Sequence, residues 1–166
     1  MRCRATAALG RGIMSQMRVQ GRTLAQVYSL AFGATLVLSG LAGFLVDASF
    51  TYGADIQSHT LVLFAVNGWH NALHLSVGAL GLAAFVRPRL ARVFAIGWGG
   101  TAAILCTWGL LISYPAFGLI PAGIGGAMLH LFDAILGILA WLLSAPSRGL
   151  RSANGARTSY PVEAHR

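Results

Sequence analysis

The chain has 166 residues, of which 56% are hydrophobic and only 10% charged, against about 25% charged in soluble domains, so an ordinary water-soluble fold is excluded. The net charge of +8 comes from twelve arginines that flank apolar segments instead of building a folded basic surface. Nucleic acid is therefore not expected as a partner, and anionic lipid headgroups account for the charge.

Residues 1–23 form a basic leader with Arg2, Arg4, Arg11, Arg18 and Arg22, and Met14 and Met17 are alternative start sites to Met1. Four apolar stretches follow, over 24–46, 62–86, 93–113 and 124–144. Each has about the 20 residues that, at about 1.5 Å per residue, cross a hydrocarbon core of about 30 Å. A spanning segment must satisfy its own backbone, so all four are expected to be helices. The first is too long for the apolar region of a cleavable signal peptide. The expected architecture is all-α, a four-helix transmembrane bundle over 24–144.

The connections set the orientation. Residues 47–61 and 114–123 carry no basic side chain, whereas Arg87, Arg89 and Arg92 lie between the second and third stretches. The tail, 145–166, holds Arg148, Arg151, Arg157 and Arg166, and is too poor in large apolar side chains to fold. The positive-inside rule places both termini in the cytoplasm and the protein in the cytoplasmic membrane. Asp47, Asp55 and His59 are expected to be solvated in the first outer loop. Pro88 is expected just beyond the second helix. Cys3 and Cys106 fall in different compartments, which excludes a disulfide framework.

The most unusual local feature is Asn67-Gly68-Trp69-His70-Asn71-Ala72-Leu73-His74. His70 and His74 are four apart and share a helix face, with Asn67 and Asn71 on or beside it. In the last stretch His130 and Asp133 are three apart, and Asp133 is the one acidic residue well inside a span. Intramembrane ionisable groups usually point into the bundle with a partner. The principal reading is polar contact between the second and fourth helices through Asn67, His70, Asn71, His74, His130 and Asp133. Alternatives are a metal site drawn from His70, His74, His130 and Asp133, a haem between His74 and His130, or a proton pathway. No nucleophile arrangement is legible and no cofactor is required, so the expectation is a non-enzymatic protein whose partners are the bilayer and either a second copy or another membrane protein. Ser29 with Gly33, and Ser39 with Gly43, form small-xxx-small pairs suited to close helix contact.

The two halves also align. His74 falls over His130, Gly81 over Gly137 and Phe85 over Trp141; Gly33 falls over Gly99 and Gly43 over Gly109. Two tandem helical hairpins and the easy matching of glycine-rich apolar helices both account for this.

The run from His70 to Leu82 resembles the signature of a family of small bacterial four-span proteins, the domain of unknown function 4383. That family's second span reads His-Asn, two residues, His, then Gly-xx-Gly-Leu, as His70, Asn71, His74, Gly78, Gly81 and Leu82 do here. Its fourth carries a lone His followed by a Gly, as His130 and Gly137 do, and its first opens on a Gln approach similar to Gln26 and Leu30. The resemblance covers about residues 22–144 and implies location and architecture without an activity. One departure is the Gly125-Gly126-Ala127-Met128 run before His130, where family members often carry Asp-Asn; the acidic residue here, Asp133, follows the histidine instead.

Overall fold

The computed structural model describes residues 18–19, 21–112 and 114–144. The expectations for the start site, Cys3 and the tail lie outside them. Two short strands, β1 (Arg18–Val19) and β2 (Arg22–Thr23), pair antiparallel just ahead of the first helix. Four helices follow: α1 (Leu24–Val46), α2 (Gly68–Phe85), α3 (Pro88–Leu111) and α4 (Ile124–Leu143). α1 packs chiefly on α2 and α3 on α4.

Local chemistry explains the helix starts. Thr23 and Gln26 form a reciprocal capping box on α1. Asn67 caps α2 by accepting from His70 N at 2.9 Å. Pro88 does not follow a loop after α2; it is the first residue of α3, where its missing N–H costs nothing. The connection is therefore only Val86 and Arg87, and Arg89 and Arg92 lie within α3.

The second apolar stretch does not become one helix. Its first residues, 62–66, fold back on the three before them as a hairpin, β3 (His59–Leu61) with β4 (Phe64–Val66), turning at Val62 and Leu63. A short apolar run rich in β-branched and aromatic side chains is ambiguous between strand and helix. Asn67 decides it, because its side chain replaces the backbone partner that a continuing helix would supply to His70 N–H.

Side-chain placement is inverted relative to a soluble bundle. Much of the buried apolar interior is alanine (Ala25, Ala84, Ala91, Ala95, Ala102, Ala127, Ala134 and Ala140), whereas Leu38, Leu45, Leu80, Ile104 and Ile135 are exposed. On α2 the buried face holds His70, Asn71 and His74, and the outward face holds Trp69, Ala79, Leu80 and Ala83 together with Ser76, whose hydroxyl turns back to donate to Ala72 O at 2.8 Å. Three helices, α1, α3 and α4, are long and apolar enough to cross a membrane. α2 falls short on composition because of the polar residues in its first two turns.

The described arginines collect at one end of the bundle. Arg22 lies 4.8 Å from the ring centre of Phe85, Arg92 lies 5.5 Å from that of Trp141, and Arg87 and Arg89 flank the α2–α3 turn. Polar bonds close this end: Gln26 Nε2 donates to Phe85 O at 2.9 Å and Ala25 N to Ser144 Oγ at 2.8 Å.

Aligned positions make matching contacts in both hairpins. A Cβ added to Gly33 would meet Leu82 N at 2.8 Å beside Gly81, and one added to Gly99 would meet Ile138 N at 3.2 Å beside Gly137. Gly43 packs on Asn71, and its counterpart Gly109 on Ala127. Ala25 and Ala91, 66 residues apart like Gly33 and Gly99, are both fully buried.

Candidate functional site

The polar residues of α2 lie at the end opposite the arginines and face α1 more than α4. The reason is steric. Gly33, Gly40 and Gly43 on α1, with Gly78 and Gly81 on α2, bring the two backbones together. The Asn71 carboxamide fills the space Gly43 leaves open, with Oδ1 where a Cβ at Gly43 would lie. The expected contact between the second and fourth helices is thus corrected: the bonded cluster joins α1, α2 and the β3–β4 hairpin.

The imidazoles form a chain. His70 Nδ1 lies 3.1 Å from Ala65 O, and His70 Nε2 lies 3.0 Å from His74 Nε2. His74 Nδ1 lies 2.8 Å from Ser39 Oγ, which is 3.0 Å from Leu36 O within α1. A carbonyl only accepts, so His70 carries its proton on Nδ1 and presents the Nε2 lone pair to His74. Both rings are buried, and the Phe64 ring centre is 5.9 Å from His70 and 6.4 Å from His74.

The asparagines tie the cluster to the loops. Asn67 Nδ2 donates to Leu119 O at 2.8 Å in the α3–α4 connection, so Asn67 is a cap and a clasp and not a mid-helix contact. Asn71 Nδ2 donates to Asp47 O at 2.7 Å, at the end of α1. Asp47 is not solvated as expected. It is buried, its Oδ1 accepts from Ser49 N at 2.7 Å, and its Oδ2 lies 2.8 Å from Nδ1 of the exposed His59. Burial pushes the Asp47 carboxyl up, but the hydrogen bonds from Ser49 and His59 outweigh it and hold the pKa below the ordinary carboxylate value. Gly53 N donates to Gly118 O at 2.8 Å, joining the two loops.

His130 and Asp133 stand apart from the chain. His130 borders with His70 a cavity of about 70 Å³, partly open to the surface and walled by Phe64, Leu105, Gly123 and Gly126. Its Nδ1 is buried and has no partner among the described residues, and its ring stands edge-on to Trp98 at 6.4 Å. Asp133 lies nearly a turn further along α4, half-buried, with its side chain beside the buried indole N–H of Trp98.

Among the described residues no group of three His, Cys, Asp or Glu side chains is placed to hold a metal ion. His70 and His74 alone supply half of a tetrahedral set. A haem does not fit either: His74 Nε2 is occupied by His70, and the cavity is well below the roughly 300 Å³ of small-molecule pockets. The sequence singled out the histidines and asparagines but missed Ser39 and Asp47, whose partners are 35 and 12 residues away.

The chain belongs to the family described as Domain of unknown function (DUF4383), which matches residues 26–143. No curated protein and no solved structure matches the chain.

Proposed function

We propose that this chain, as a member of that family, is a non-enzymatic four-span protein of the cytoplasmic membrane, with the arginine end in the cytoplasm. Its polar cluster clasps α1, α2 and the outer loops together. The observation that carries this reading is the inverted placement on α2, with His70, Asn71 and His74 inward and Ala79, Leu80 and Ala83 outward. Water as solvent would favour the opposite arrangement, whereas lipid favours it as found. The clustered arginines supply the orientation. The protein acts through association with itself or another membrane protein. The matching contacts of Gly33 with Gly81 and Gly99 with Gly137 support a duplicated hairpin, its halves related about an axis along the membrane normal.

Cysteine labelling tests the topology. In a background with Cys3→Ser and Cys106→Ala, Tyr52→Cys reacts with an impermeant maleimide from outside intact cells, and Arg89→Cys reacts only after the membrane is opened. The reverse pattern, or equal labelling of both, contradicts the reading.

Among the ligand-handling alternatives, one specific observation favours proton handling: the continuous imidazole chain from Ala65 O to Ser39.

A further inference from the structure

We infer that the His70–His74 pair is a one-proton binding site that exchanges with the outer aqueous phase and is sealed from the cytoplasm. This rests on the proposed topology for its sidedness, but not for the proton binding itself. Four polar contacts run in series: Ala65 O to His70 Nδ1, His70 Nε2 to His74 Nε2, His74 Nδ1 to Ser39 Oγ, and Ser39 Oγ to Leu36 O. Each needs one proton, and with both rings neutral the two imidazoles and the hydroxyl supply only three. The Ser39 hydroxyl must then choose between His74 and Leu36 O. One added proton fills all four. An N–H bond forms on His74 Nδ1 and donates to Ser39 Oγ, Ser39 turns its hydroxyl to Leu36 O, and hydronium from the outer phase leaves as water. No existing bond of the protein breaks.

The surroundings suit one charge and one side of access. The Phe64 ring centre lies 5.9 Å from that of His70, and Ala65 O and Leu36 O accept at the two ends of the chain. His70 lines the cavity, whose volume of about 70 Å³ has room for a few waters, since one needs about 10–15 Å³. Toward the arginine end the path stops. Leu36 is buried, and Gly33 lies against the backbone of Gly78, Gly81 and Leu82.

Among the described residues, other titratable groups around the pair are few. α1 brings Asp47, whose carboxylate is engaged by Ser49 and His59. α4 brings His130 across the cavity and Asp133 beyond it. α3 brings Cys106, the residue after Leu105 of the cavity wall, the hairpin brings His59, and α2 itself adds only the amides Asn67 and Asn71. His130 has no counterpart of this chain. The alignment places Leu105 where Ser39 stands and Gly126 where His70 stands, and His130 Nδ1 is left without a partner among the described residues. One half of the bundle thus holds the proton site and the other does not.

The test is nitrogen NMR of histidine-labelled full-length protein in liposomes, titrated from pH 8 to pH 4. The expected result is neutral rings at high pH, His70 protonated on Nδ1 and His74 on Nε2, followed by joint uptake of a single proton. Ser39→Ala, which leaves both rings in place, weakens that uptake about tenfold because a charge-assisted acceptor is lost. His74→Gln abolishes joint uptake. With the lumen buffered at fixed pH, the rings follow the bath on the outer face, and passive proton flux stays at that of empty liposomes. Independent titration of the two rings, neutrality of both to pH 4, an unchanged Ser39→Ala profile, or stoichiometric metal on the rings overturns the site. Joint uptake that follows the lumen on the arginine side overturns the one-sided access. Cysteine labelling judges the topology separately.

Discussion

Single residues at the polar end have measurable consequences. Asp47 has its folded pKa below the unfolded value, so it contributes stability that is full above about pH 4 and fades as pH falls through the folded value. Asp47→Asn should therefore lower stability in detergent at pH 7 by about 1–3 kcal/mol, with the gap to wild type closing below about pH 4. A pH-independent gap would mean the charge is irrelevant. Gly43→Ala should cost about 1–3 kcal/mol, because the new methyl overlaps the Asn71 carboxamide and Asn71 is fully buried. Gly97→Ala, with open space around it, should cost nothing. His70, Asn71 and His74 were legible in the sequence because polar side chains stand out in an apolar run. Ser39 and Asp47 were not. A serine on an apolar helix looks like a packing residue until the helix that faces it is known, and an aspartate after a helix looks solvated until a loop folds over it.

Helix packing is set by where glycines allow close approach. Gly33→Ala should destabilise more than Gly99→Ala, because its methyl would press on a backbone nitrogen at 2.8 Å against 3.2 Å. Equal losses in an unfolding titration would contradict the idea that α1 and α2 form the tighter hairpin. The bounds 24–46 and the start at 124 were legible from apolar length alone, because nothing within those runs competes with a helix. Residues 62–66 were misread for the converse reason. Their apolar character fits strand and helix equally, and the deciding signal is the capping side chain of Asn67, read in three dimensions. The clasp from Asn67 to Leu119 likewise spans 52 residues, which no local pattern encodes.

For the whole molecule, the aligned halves make a quantitative claim. If Leu105 occupies the place of Ser39, then Leu105→Ser offers His130 Nδ1 the partner that His74 already has. A double-mutant cycle should find Leu105→Ser at least about 1 kcal/mol less costly with His130 present than in His130→Ala. Additive losses would count against equivalent halves. The bundle also has mainly small residues inside and, Leu36 and Leu105 apart, leaves its leucines partly or fully exposed, which is economical only in lipid. α2 is the decisive helix, since α1, α3 and α4 already have the length and composition to cross a membrane. Spin labels at Leu80→Cys on α2, with Ile104→Cys and Tyr52→Cys for comparison, measure its surroundings directly in nanodiscs. The account predicts that Leu80→Cys, like Ile104→Cys, collides with dissolved oxygen and is hidden from a water-soluble nickel chelate, while Tyr52→Cys is open to the chelate. Chelate access at Leu80→Cys equal to that at Tyr52→Cys would place α2 in water and contradict the four-span bundle.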